Sequence, residues 1–216
     1  MTDPLDTPPG LAPALWLAEP LPTPRLCLGA GWRLEAQPVG FLDTVLGRDT
    51  PIDVDLAALL LSGQGQCLDQ VWYRQVRSQD DAIRHQGDRV AGQASESLEP
   101  ALLEDLETIE LDLDRVSPAV ASVWLAVGIS TGHQFSDLSA AHCRLFARQR
   151  DGQGQEFLQV LLPTQREGNT LVVARLDRSP ADPAQWLLTR MLLPGQLDSL
   201  AELATMVQAQ LSGLRF

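Results

Sequence analysis

Carboxylates dominate the residues of this chain that could do chemistry. In Pro51-Ile52-Asp53-Val54-Asp55-Leu56 two aspartates head an apolar run that continues to Leu61. Successive side chains of a strand point to opposite faces, so Asp53 and Asp55 are expected to share one face, about 7 Å apart along the backbone. Like charges at that spacing repel unless water screens them or a cation lies between them. A hard cation that takes several oxygen ligands, such as calcium, is the natural counter-charge. A solvated strand end is the plainer reading of the same pattern. More acid follows along the chain. In Arg84-His85-Gln86-Gly87-Asp88, Gly87 permits a left-handed backbone that would present Asp88 and nearby carbonyls to one point. Glu96, Glu99, Glu104, Asp105, Glu107, Glu110, Asp112 and Asp114 then crowd one short stretch.

The other reactive types form no constellation. His85, His133 and His142 have no metal-ligand spacing with Cys27, Cys67 and Cys143. His142 and Cys143 are neighbours on a predicted strand, so they point opposite ways and cannot pair as base and nucleophile. Cys143 reads as a small core residue, and His85 as a structural residue of its loop or an orienter of Asp88. Glu104, Glu110, Asp112 and Asp114 read as a solvated face, and Arg144, Arg148 and Arg150 as charge balance at a strand end. Catalytic carboxylates among Asp53, Asp55 and Glu107 lack an evident general acid. The chain has no Walker loop, dinucleotide fingerprint, nucleophile elbow or zincin helix.

Composition narrows the partners. The 216 residues carry 16 basic and 28 acidic side chains, a net charge of −12. Phosphate binding draws on clustered Lys and Arg, so nucleic acid is an unsuitable partner, and anionic lipid is disfavoured for the same reason. Every basic residue is arginine, which reads as bacterial, GC-rich codon usage. Three widely spaced cysteines form no disulfide framework, which points to a reducing compartment. With no signal-peptide pattern and no apolar run near the roughly 18 residues a spanning helix requires, a soluble cytoplasmic protein is expected.

The elements that must position the carboxylates are mostly strands. Seven prolines in residues 1–24 make this stretch an extended arm, followed by one domain over 25–216. Strands are expected at Leu26–Trp32, Asp53–Leu61, Val71–Val76, Ile109–Leu113, Val123–Ile129, Ala141–Ala147, Phe157–Leu162, Thr170–Leu176 and Trp186–Leu193. Pro100–Leu106 offers one or two helical turns. Ser199-Leu200-Ala201-Glu202 is a capping box opening a helix over 199–214, with an apolar stripe of Leu200, Leu203, Ala204, Val207, Leu211 and Leu214. Many short strands with one late helix define an all-β fold: an antiparallel β-sandwich with a short C-terminal helix and long acidic loops.

From about Leu26 to the C-terminus the order of features resembles the TerD family of bacterial tellurium-resistance and stress proteins. The matching motifs are Gly31-Trp32, Asp53-Val54-Asp55-Leu56, Val71-Trp72-Tyr73, His85-Gln86-Gly87-Asp88 and Asp105-Leu106-Glu107-Thr108-Ile109-Glu110-Leu111-Asp112-Leu113. Phe135, Arg144-Leu145, Ala174-Arg175 and Trp186 follow in the family's order. The resemblance implies a β-sandwich without known catalytic activity. It implies calcium held by Asp53, Asp55, Asp88, Asp105 and Glu107, and action in stress complexes with protein partners, some of them membrane-linked. Two positions depart from the family pattern: Arg89 replaces an asparagine after Gly-Asp, and Leu106 replaces the second of two aspartates. Two readings therefore stand beside calcium binding. One is a metal-free interaction protein in which the Arg89 guanidinium takes the cation's place, and the other a metal-dependent hydrolase using the same carboxylates.

Overall fold

The computed structural model describes residues 17–34, 52–87, 104–148, 154–165, 167–196 and 198–213. Eleven strands among these residues form two antiparallel sheets. The first is ordered β1 (Glu19–Pro20), β11 (Trp186–Gly195), β10 (Thr170–Arg178), β7 (Ser122–Gly128), β3 (Asp55–Leu61) and β4 (Cys67–Val71). The second is ordered β5 (Ile83–His85), β6 (Glu107–Asp112), β2 (Arg25–Leu34), β8 (Leu138–Ala147) and β9 (Glu156–Leu161). The sandwich expected from the alternating pattern is the fold observed.

Period-2 alternation decides which side chains fill the space between the sheets. Leu26, Leu28, Ala30 and Trp32 of β2 meet Leu56, Ala58 and Leu60 of β3 in one buried core. Side chains of opposite parity on β3 and β7, namely Ala57, Leu59, Leu61, Trp124 and Ala126, face outward. They are covered by Leu203 and Val207 of the helix α1 (Leu200–Gly213), making a second core. That second layer explains why β3 reads as a continuous apolar run: it is buried on both faces. Half of the expected capping box forms, the Glu202 amide donating to Ser199 Oγ, while the Glu202 carboxylate accepts from the Asp198 amide, one residue before the cap.

Several boundaries differ from the sequence reading. The aromatic stretch after Val71 is a tight turn, in which the Trp72 and Gln75 amides each donate to the other's carbonyl. High β-propensity there is overridden by that turn. Pro20 lies in a two-residue edge strand on β11, a place where a missing N–H is tolerated. Asp53 precedes β3, which starts at Asp55. Glu104, Asp105 and Leu106 lie outside any helix.

Candidate functional site

The strand ends around β3 and β6 separate carboxylates that the chain carries close together. Glu107 opens β6 with the core-facing parity of Ile109 and Leu111, so its side chain enters the space between the sheets and is fully buried. Its Oε1 accepts the Leu56 amide of the opposite sheet at 3.0 Å. The β3–β4 ladder begins only at Ala58, so the carboxylate bonds a β3 amide beyond the end of β4. Oε1 also accepts from His85 Nε2. The tautomer follows from local backbone: the Gly87 amide donates to His85 Nδ1 at 3.1 Å, so the ring proton resides on Nε2. Gly87 has φ +98°, the left-handed conformation expected of it. Oε2 of Glu107 is buried with no hydrogen-bond partner among the described residues. Burial pushes the Glu107 carboxyl above the ordinary glutamate range against the pull of His85 and the Leu56 amide, and nearby Asp55 pushes the same way.

Asp105 goes elsewhere. Gly29 and Gly31 occupy outward positions of β2, and without side chains there residues 104–105 lie directly across the outer face of the second sheet. A Cβ on Gly29 would stand 2.5 Å from the Asp105 carboxyl carbon, and one on Gly31 2.3 Å from the Glu104 carbonyl oxygen. Asp105 is gripped by the outward side chains of β8. Arg144 Nε donates to both carboxylate oxygens at 3.0 Å, Arg144 Nη2 to Oδ2 at 2.6 Å, and His142 Nε2 to Oδ1 at 3.0 Å. Burial works against this charge, but His142 and Arg144 outweigh it and hold the carboxyl below the usual aspartate range.

Asp55 takes a third direction. It shares the parity of Ala57 on the helix-covered face, and Ser130 Oγ donates to its Oδ2 at 2.6 Å. Asp53 is partly buried just before the strand. Asp88 and Arg89 lie outside the described residues. Structure therefore places Asp55 near Glu107 but puts the Asp105 side chain on the far side of β2, so convergence of all these groups on one spot does not occur. The physical reason is parity: Glu107 is inside the ladder, whereas Asp105 precedes it on chain that bends over the outer face. Among the described residues no three His, Cys, Asp or Glu side chains are grouped as a metal site.

His85 is tied to Glu107. The outer-face set of Asp105, His142 and Arg144 was not foreseen in the sequence. Its signal was present in two glycines at alternate positions of β2, opposite a strand whose outward residues are His142 and Arg144. Thiol chemistry has little support: burial pushes the Cys27 thiol up to about 12 and raises that of Cys143 further.

A two-sheet antiparallel sandwich with one helix laid on an outer face, and a buried glutamate between the sheets, is the class of protein these observations define. The TerD domain model matches residues 19–205, and the chain belongs to the TerD family. It is 27% identical over 155 residues to tellurium resistance protein TerZ of Serratia marcescens, covering 72% of this chain and 74% of that protein. A crystal structure of a TerD homologue from Streptomyces coelicolor A3(2) superposes with a TM-score of 0.66 at 18% identity, covering 85% of this chain and 96% of that one. A second crystal structure, of a protein of unknown function, gives 0.61 at 18% identity with the same coverage.

Proposed function

We propose that the chain is a non-catalytic tellurium-resistance module, with calcium controlling the rim of the sandwich that it offers to other proteins of the cytoplasm. Glu107 and the nearby Asp55 would offer the ion its first oxygens. Asp53 and Asp88 would complete the set only on binding, since the described side chains are not grouped as a site beforehand, and Asp105 would take no part. The observation that carries this reading is the second oxygen of Glu107, buried without a hydrogen-bond partner among the described residues. A buried carboxylate oxygen left bare costs about 1–3 kcal/mol or more, and a calcium ion is a partner with the matching charge and preference for oxygen. Family membership and the similarity to TerZ support the resistance role. The three cysteines are free thiols, which supports a reducing compartment.

Calcium at a hundred times its dissociation constant should add about 2.7 kcal/mol, raising the melting midpoint by about 5–11 °C over the chelated protein. Glu107→Gln, nearly isosteric, should abolish the rise, whereas Asp105→Asn should preserve it. An unchanged midpoint in the parent protein rejects calcium control. The metal-free reading would then stand, and one observation favours it: Asp105 already has a cation in Arg144 and a hydrogen-bond partner in His142.

A further inference from the structure

Sheet one, the first turn of α1 and the turn after β4 enclose a cleft of about 240 Å³, none of which the calcium reading uses except its rim at Asp55. Its floor is apolar, formed by Ala57, Ala126 and Leu203. One wall is the turn Trp72-Tyr73-Arg74, where the two rings meet edge to face with centroids 4.8 Å apart. The Arg74 guanidinium lies 5.5 Å from the Trp72 ring centroid and 5.2 Å from that of Tyr73. Arg74 is exposed and makes no ion pair with any carboxylate among the described residues.

Ser130, Thr170 and Asp198, which also line the cleft, can accept hydrogen bonds but have few protons to give. Ser130 must donate to Asp55, because an ionised carboxylate only accepts, so its remaining capacity is a lone pair. Thr170 likewise spends its proton on Asn169 Oδ1. Asp198, at the entrance, pairs with no basic side chain among the described residues. Oxygens that chiefly accept, in one cleft with aromatic rings that already carry a guanidinium, describe a receptor for a donor-rich, planar cation.

We infer that this cleft binds an arginine side chain presented by a basic segment of a partner protein, and that Arg74 rests on the rings in its absence. The net charge of −12 supplies the long-range attraction for such a segment. The cation–π contact favours a guanidinium over an alkylammonium, because the planar group stacks on the ring while donating along its edge. The inference stands without calcium, and its test is run in chelator so that failure of one reading leaves the other intact.

The probes are N-acetyl-arginine methylamide and its neutral citrulline counterpart, titrated into the isotope-labelled full chain and followed by NMR. Saturable shifts are expected at the Trp72 indole, Ser130 and Leu200 with the arginine probe and not with citrulline. Arg74→Ala, an exposed change that leaves the core untouched, should tighten arginine binding about two- to fivefold by clearing the rings. Asp198→Asn should weaken it. Equal shifts from citrulline, absence of a saturable response, or preferential binding of N-acetyl-glutamate methylamide through Arg74 would each overturn the inference.

Discussion

Asp105 and Glu107 are two residues apart, yet their surroundings drive them in opposite directions. Glu107 is enclosed by the two sheets beside the His85 ring, and burial outweighs that partner and raises its carboxyl pKa. Asp105, also poorly solvated, has a guanidinium and an imidazole on it, and its pKa is lowered. A carboxyl whose folded pKa is depressed adds stability above its unfolded value, near 3.9, and that stability is lost as pH falls through the lower folded value. Asp105→Asn is therefore expected to cost about 1.5–3 kcal/mol at pH 7, the worth of hydrogen bonds to a charged group. In urea unfolding the gap between parent and variant should shrink below about pH 4. A gap that stays constant down to pH 2, or no gap at pH 7, would show that the Arg144 fork contributes nothing.

At the level of elements, β2 is the part that both faces depend on. Its inward residues fill the core, while its outward glycines leave room for residues 104–105 to cross. Gly31 is the less forgiving position, since an added Cβ meets the Glu104 backbone oxygen at 2.3 Å and His142 Cε1 at 2.6 Å. At Gly29 the obstacle is the Asp105 side chain. Gly31→Ala should thus destabilise by about 1–3 kcal/mol, the usual cost of overpacking, in parent and Asp105→Asn backgrounds alike. Gly29→Ala should be non-additive with Asp105→Asn, because both act on one contact. Additivity at Gly29 in chemical denaturation would mean that the crossing segment is held by something other than Asp105.

Over the whole molecule, 28 acidic against 16 basic residues make self-repulsion a general tax on the folded state. Sodium chloride shortens the screening length to about 10 Å at 0.1 M, so added salt should raise the melting midpoint of the chelated protein. Millimolar calcium should exceed sodium chloride of equal ionic strength, and a rise matched by the plain salt would reduce the calcium effect to screening. Much of the fold was legible beforehand: the alternations at Ile109–Leu113 and Ala141–Ala147, the all-apolar run at Leu56–Leu61 and the Ser199–Glu202 capping box all correspond to observed elements. These signals are local, set by side-chain period and turn chemistry, so the chain alone determined that there is a sandwich, where its longer strands run and which residues carry charge, but not the short strands β1, β4 and β5. Trp72 and Tyr73 misled because a turn hydrogen bond outweighs propensity. What only the tertiary structure decided is which charges meet. Glu107 finds His85 and Leu56, Asp105 finds Arg144 and His142, and Asp55 finds Ser130, each through strands distant in sequence. A carboxylate's neighbours depend on strand order and on which side of a sheet the chain crosses, and neither is encoded in the spacing of the acids themselves.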